Sequence, residues 1–156
     1  MANTFALQVQ SAQLSLGVRP ILHGIDLELP RGEVLALLGG SGCGKTTLLR
    51  AIAGLQALDR GRIQLDGREV TDLPTAERGV GVVFQHYALF PNLSVQDNIA
   101  FGLQARRDPA ERQQARVAEL LQLIGLAEHA GKRPAQLSGG QRQRVALARA
   151  DRKSVV

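Results

Sequence analysis

The sequence has no tryptophan, one tyrosine and four phenylalanines in 156 residues. With 44% of the chain hydrophobic, its core must be aliphatic, and the length suits one sizeable domain with an inserted subdomain. There is one cysteine, Cys43, so no internal disulfide can form, which fits a reducing compartment. Cys43 reads as a small filler residue rather than a redox centre. No apolar run approaches the length needed to cross a bilayer. The opening MANTFALQVQ lacks the basic region and apolar stretch of a secretory leader. These absences predict a cytosolic protein. Acidic residues are the minority, 14 against 19 Lys and Arg, for a net charge of +5. Such an excess can serve nucleic acid or an anionic membrane surface. The arginines are scattered, however, and no basic run carries interleaved aromatics of the kind that stack bases. The charge reads as solvated surface, and no nucleic-acid partner is expected.

What the chain does have is glycine, 17 residues of it, concentrated most tellingly in Gly39–Thr47, GGSGCGKTT. This stretch fits G-x-x-x-x-G-K-[ST], with Gly39, Gly44, Lys45 and Thr46 in the fixed places. The five apolar residues before it, Val34 to Leu38, predict a strand buried on both faces. The apolar run after it, Leu48 to Ala53, predicts a helix that Gly54 ends. A strand–loop–helix setting is what the motif requires. Gly39, Gly40, Gly42 and Gly44, with Ser41, Cys43 and Thr47 between and beside them, let successive backbone N–H groups wrap a phosphate chain. The helix N-terminus adds a partial positive charge. Lys45 is placed to reach the β- and γ-phosphates, and Thr46 to offer its hydroxyl to Mg2+.

Elsewhere the pattern predicts β structure first and helix later. Ala6 to Gln10 and Ile25 to Leu29 alternate, and Pro30 to Glu33 is a turn. Gly61 to Leu65 followed by Asp66-Gly67 predicts a hairpin, so an antiparallel layer is expected beside the phosphate loop. Val80 to Phe84 predicts another buried strand, ending at Gln85. Ser94 with Asp97 predicts a capped helix through about Leu103. Asp108-Pro109-Ala110-Glu111 predicts a second helix start, with proline at the first helical position. Val117, Leu120, Leu121 and Ile124 share one helical face, which Gly125 stops. Lys132 to Gln136 reads as loop. Leu137 to Gln141 opens a last helix, predicted over Arg142 to Ala150.

Three separated blocks, GGSGCGKTT, VVFQ at Val82–Gln85 and LSGGQ at Leu137–Gln141, together resemble the ATP-binding cassette (ABC) ATPases. The phosphate loop alone fits many NTPases, whereas LSGGQ followed by RQRVALARA is specific to this family. The resemblance covers residues 3–150. It implies an α/β fold, with a P-loop NTPase core and antiparallel β subdomain over 1–86, an inserted α-helical subdomain over 87–136, and the signature and its helix over 137–150. It implies ATP and Mg2+ as ligands. Gln85 then corresponds to the glutamine that ligates Mg2+ and senses the γ-phosphate, so Thr46 and Gln85 form the metal set. Ser138, Gly139, Gly140 and Gln141 correspond to the signature, which in this family covers the ATP held by a second subunit in a head-to-tail dimer.

The segment Gln85 to Leu103 resembles the importer branch, whose members handle polyamines, ferric iron, sulfate, phosphonates and sugars. There the helical subdomain receives a coupling helix from a transmembrane permease subunit, which works with a substrate-binding protein. Tyr87, Leu89, Phe90 and Pro91 are contact candidates, with ordinary core an equal reading for Leu89 and Phe90. The resemblance implies a cytoplasmic protein, peripheral on the inner face of the membrane. A soluble ABC protein acting on ribosomes or DNA is the alternative. Members of that class usually carry two cassettes, long coiled-coil insertions or zinc cysteines, and this sequence has none of them. A non-catalytic fragment is a third reading.

Two departures from the family pattern stand out. Leu16, beside Gly17, holds the place where an aromatic commonly stacks on adenine. After Ala150 the family continues into a strand ending in Asp, a catalytic Glu and a switch histidine; here the chain reads Asp151-Arg152-Lys153-Ser154-Val155-Val156. His23, His86 and His129 stand in the wrong context for the switch. The chain is therefore expected to be incomplete at its C-terminus, poorly soluble, and able to bind ATP without turning it over well. The codons GATCGGAAGAGCGTCGTG encode DRKSVV and resemble a sequencing adapter, so residues 151–156 are expected to be foreign to the gene.

Overall fold

The structure is a computed structural model, and it describes residues 4–104 and 109–151. The chain divides into two compact units, one ending at Val80 and the next beginning at Gly81.

In the first unit two long strands, β1 (Phe5–Leu16) and β2 (Arg19–Pro30), form an antiparallel hairpin. Strand β3 (Arg60–Leu65) pairs with the other edge of β1, and the short β4 (Arg68–Glu69) closes the sheet in the order β2-β1-β3-β4. Asp66 and Gly67 both take positive φ, as a two-residue hairpin turn requires, so the sequence signal there holds. Strand β1 carries a bulge. Ser11 sits at φ 48° and its N–H donates to Asp26 Oδ1 at 2.7 Å, while the register shifts against both neighbours. Gly61 of β3 lies under this bulge. A Cβ there would meet the Gln10 and Ser11 carbonyl oxygens at 2.6 Å.

Helix α1 (Lys45–Ala53) packs on this sheet. Its Leu48 and Ala51 join Val9, Ala12, Leu14, Leu22, Ile63 and Val70 in one aliphatic core. Gly54 ends it in a left-handed conformation, as the sequence implied. Gly54 N–H donates to Ala51 O, and Arg78 adds a second tie at that end. Its guanidinium donates to Ala51 O at 2.7 Å and Ile52 O at 3.1 Å, and also to Thr71 O and Leu73 O. Arg78 is buried, which lowers its pKa, yet its donors are satisfied by backbone.

Two strand expectations fail. Val34–Leu38 and Val80–Phe84 form no ladder among the described residues. Val34 is 96% and Leu38 90% exposed, and of the first run only Leu37 packs on the core. A strand buried on both faces is held by backbone partners on both edges. The four strands of this sheet pair with one another, and neither run has such a partner.

The second unit is helical. Helix α2 (Val95–Gln104), α3 (Ala110–Leu123) and α4 (Gly139–Ala150) enclose a core of Val95, Ile99, Leu120, Leu121, Leu126, Leu137, Val145 and Ala148. Ser94 Oγ accepts from the Asp97 N–H at 3.1 Å and donates to its carboxylate, so the expected cap is present. Helix α3 starts one residue later than the proline rule implied: Pro109 is its N-cap, and Asp108 lies outside the described residues. Val117, Leu120, Leu121 and Ile124 do face the core, and Gly125 turns the chain at φ 65°. The expected loop at Lys132–Gln136 contains a 3-10 turn, Pro134–Gln136. Helix α4 begins at Gly139, not Arg142, because Ser138 caps it directly. At its other end Asp151 pairs with Arg116 of α3, which also holds Glu119 at 2.6 Å. The remaining tail, residues 152–156, lies outside the described residues. No helix of the described residues is long and apolar enough to cross a membrane.

Candidate nucleotide-binding site

In the first unit the loop Gly39–Gly44 runs directly into α1. Gly44 is the N-cap, at φ 94°, a conformation that side chains rarely adopt. It is also hemmed in. A Cβ there would meet Leu22 Cδ2 at 3.1 Å and the Ile21 carbonyl oxygen at 3.3 Å, both on β2. The sheet therefore sets where the loop enters the helix. No side chain caps α1 and no acidic residue stands in its first turn. The positive end of the helix is consequently left without a side-chain acceptor of its own, as an anion site requires.

Lys45 folds back over the loop. Its ammonium donates to the Gly39 and Gly40 carbonyl oxygens, each at 2.7 Å, and to Cys43 Sγ at 3.3 Å. A Cβ on Gly39 would come 2.9 Å from that sulfur and 4.0 Å from Lys45 Nζ, so the missing side chain is what lets the loop close around the ammonium. Cys43 is exposed and in no disulfide, and the Lys45 hydrogen bond pulls its pKa down. Ser41 and Thr46 are exposed, and Thr47 is half-buried. Leu16 lies at the end of β1, next to the turn at Gly17, and is 48% exposed.

The second unit carries the other two blocks. Gln85 is exposed, on a segment outside any helix or strand. The chain after it turns sharply, with Tyr87 at φ 63° and Ala88 at φ 46°. Beyond the turn, Leu89 packs on the helical core, while Phe90 and Phe101 face each other at 4.4 Å, both partly exposed. So Leu89 is core, and Phe90 stands at the edge of it. Ser138 and Gln141 form a reciprocal cap on α4: Gln141 N–H donates to Ser138 Oγ at 3.2 Å and Ser138 N–H to Gln141 Oε1 at 2.8 Å. Gly139 and Gly140 occupy the first turn, and a Cβ on either would meet no atom within 4 Å. The Ser138 hydroxyl, accepting from the backbone, keeps its own proton free to donate outward.

Sequence reasoning missed two residues that hold this region. Asn98 is fully buried, and its amide oxygen accepts from Phe90 N–H at 2.8 Å while its nitrogen donates to the Phe90, Leu93 and Ser94 carbonyls. A polar residue between Val95 and Ile99 on an apolar helical face was the available signal. Arg149 donates to the Tyr87 and Ala88 carbonyls. A cleft of about 570 Å3 between α2 and α3, lined by Gln96, Gln104, Gln114 and Val117 among others, was also not foreseen.

A family profile described as "ABC transporter" matches residues 22–153. Among curated proteins, the chain is 60% identical over 145 residues to the sulfate/thiosulfate import ATP-binding protein of Gloeobacter violaceus. That match covers 93% of this chain and 42% of that protein. It is 48% identical over 144 residues to the spermidine/putrescine import ATP-binding protein of Pasteurella multocida, covering 92% and 39%. It is 58% identical over 129 residues to an Fe(3+) ions import ATP-binding protein of Rhizobium meliloti, covering 83% and 33%. The chain thus spans about two fifths or less of the length of these relatives.

Proposed function

This chain belongs to the ABC transporter family, and from that premise we propose that it is the ATP-binding part of a subunit that energises import through a membrane transporter. The observation that carries the proposal is the loop Gly39–Gly44, closed by the Lys45 ammonium and opening into a helix with neither a side-chain cap nor an acidic first turn. The fit to a nucleotide is chemical. The loop offers backbone N–H groups, a fixed cation and the Thr46 hydroxyl, the donor set that a Mg2+-bound triphosphate takes. Gly39, Gly40, Ser41, Gly42, Cys43, Gly44, Lys45, Thr46 and Thr47 form the phosphate-binding set in this reading, with Thr46 and Gln85 toward Mg2+. Bound ATP supplies the free energy of its γ-phosphoryl bond. The chain's own contribution is to hold and neutralise the phosphates.

Ser138, Gly139, Gly140 and Gln141 are proposed to meet the nucleotide of a second subunit. The support is their place at the start of α4, with the serine hydroxyl free to donate and the glycines unobstructed. Hydrolysis, the permease subunits, the substrate-binding protein and a seat on the inner face of the membrane belong to the whole protein and are part of the proposal. Phe90, partly exposed at the edge of the helical core, is the proposed contact for the permease helix. Sulfate, polyamine and ferric iron importers are all close in sequence, and the family reading does not select among their cargoes.

Substituting Lys45→Ala tests the reading. Binding of a fluorescent ATP analogue in the presence of Mg2+ should weaken by about tenfold or more, equal to at least about 1.4 kcal/mol. The far-ultraviolet circular dichroism should be retained. Unchanged affinity in the folded variant would overturn the phosphate-loop assignment.

A further inference from the structure

The turn after Gln85 is built from two consecutive non-glycine residues in the left-handed region, Tyr87 at φ 63° and Ala88 at φ 46°. Side chains there crowd their own backbone, and the turn's own bonds, Tyr87 N–H to Phe84 O at 2.8 Å and Ala88 N–H to His86 O at 2.7 Å, leave the Tyr87 and Ala88 carbonyls to be held from outside. Arg149, in the last turn of α4, donates one terminal guanidinium nitrogen to Ala88 O at 2.7 Å and the other to Tyr87 O at 2.9 Å. The planar fork thus takes both carbonyls of the strained pair at once. The guanidinium also lies 5.5 Å from the centre of the Phe90 ring, on the next stretch of the same loop. Its backbone is fixed in turn. A Cβ on Gly102 of α2 would come 2.7 Å from the Arg149 carbonyl oxygen, so α2 and α4 approach as closely as backbones can. Asn98 holds the far end of the loop by its four bonds to Phe90, Leu93 and Ser94.

The other end of α4 is Ser138, the N-cap. One helix of 12 residues therefore has the signature at its start and the clamp on the Gln85 loop in its final turn, about 18 Å apart. We propose that Arg149 is a positioning residue that locks the Tyr87–Ala88 turn to helix α4, so that the loop following Gln85 and the helix headed by Ser138–Gln141 shift as one body. The functional meaning rests on reading Gln85 and Ser138 as nucleotide contacts; the clamp itself does not. A shift of the signature would be delivered to the loop that carries Phe90, and a push on Phe90 would be returned along the same helix.

Tyr87 is the only tyrosine, and there is no tryptophan, so intrinsic fluorescence reports this turn alone. The test is acrylamide quenching of Tyr87 in the full chain, with Arg149→Ala, Arg149→Lys, Ala88→Gly and the double variant Arg149→Ala/Ala88→Gly. Arg149→Ala should raise the quenching constant about twofold, as a released loop would. Arg149→Lys, a single point charge in place of a fork, should fall between it and the wild type. Glycine adopts the left-handed conformation without strain, so Ala88→Gly should leave quenching unchanged alone and restore most of the protection in the double variant. The clamp is overturned if Arg149→Ala quenches like the wild type, or if Ala88→Gly restores nothing, since a mere packing role would be indifferent to residue 88. Should Arg149→Ala not fold, the same rescue comparison is made on Arg149→Lys. None of these readings needs nucleotide, so their failure is distinct from unchanged ATP affinity in Lys45→Ala.

Discussion

The Lys45 ammonium donates a hydrogen bond to the Cys43 sulfur across 3.3 Å. A cation beside a thiol favours the thiolate, and this contact is the leading cause of the lowered pKa of Cys43. Alkylation by iodoacetamide should therefore persist to lower pH than for an ordinary cysteine and be lost only as the pH falls through the lowered value. Lys45→Ala should move the midpoint of the rate–pH profile upward. A midpoint that stays put in the variant would show that the ammonium does not govern the thiol.

Asn98 sits in the helical core with all of its amide hydrogen-bonding used on one loop. Asn98→Ala should cost about 2–4 kcal/mol in urea denaturation, since the Phe90 N–H and the Leu93 carbonyl lose their partner while the Phe90 and Ser94 carbonyls keep only the backbone N–H groups of Leu93 and Asn98. Asn98→Asp should be worse at neutral pH, because a carboxylate donates nothing to the three carbonyls that share the two amide N–H groups. Burial among carbonyls raises the folded-state pKa of that Asp above its unfolded value, so the variant should regain stability as the pH is lowered. A pH-independent Asn98→Asp would contradict the burial.

Gly61→Ala should be among the most damaging single-methyl changes in the first unit. The added carbon would sit 2.6 Å from two carbonyl oxygens at φ 102°, and a loss of about 3 kcal/mol or more follows. Gly17→Ala is the control. It shares a positive φ, 61°, but no atom lies within 4 Å, so it should cost only about 1 kcal/mol. Thermal unfolding of the two variants side by side checks the difference.

Local chemistry made much of this fold legible. The β1 and β2 alternation, the Asp66-Gly67 turn, the Gly54 stop and the Ser94 cap each depend on neighbours within a few residues; the turn, stop and cap stand where their residues placed them, while β1 and β2 run well beyond Ala6–Gln10 and Ile25–Leu29. Val34–Leu38 and Val80–Phe84 were misread because apolarity declares that a segment wants burial without supplying the strands that would bury it. The phosphate loop was legible as a motif, yet its internal contacts were not: Lys45 reaching back to Gly39 and Cys43 is a property of the folded loop. Arg78, Asn98 and Arg149 were opaque for a common reason. Each spends its donors on backbone carbonyls of other segments, and a carbonyl leaves no mark in a sequence. Nor could a helix prediction starting at Arg142 show that Gly139 and Gly140 already belong to the first turn of α4.

Arg78 carries a consequence for the making of the chain. The helix behind the phosphate loop is finished at its C-terminal end by a guanidinium 27 residues downstream of Ala51. A ribosome adding about 5–20 residues per second takes roughly one to five seconds to travel that distance. Until then the Gly54 and Leu55 N–H groups close Ala51 O and Arg50 O, but Ile52 O lacks the guanidinium and α1 is not tied to residues 71–73. Nascent chains that end before Arg78 lack this tie between α1 and residues 71–73, and it arrives two residues before the first unit's boundary at Val80.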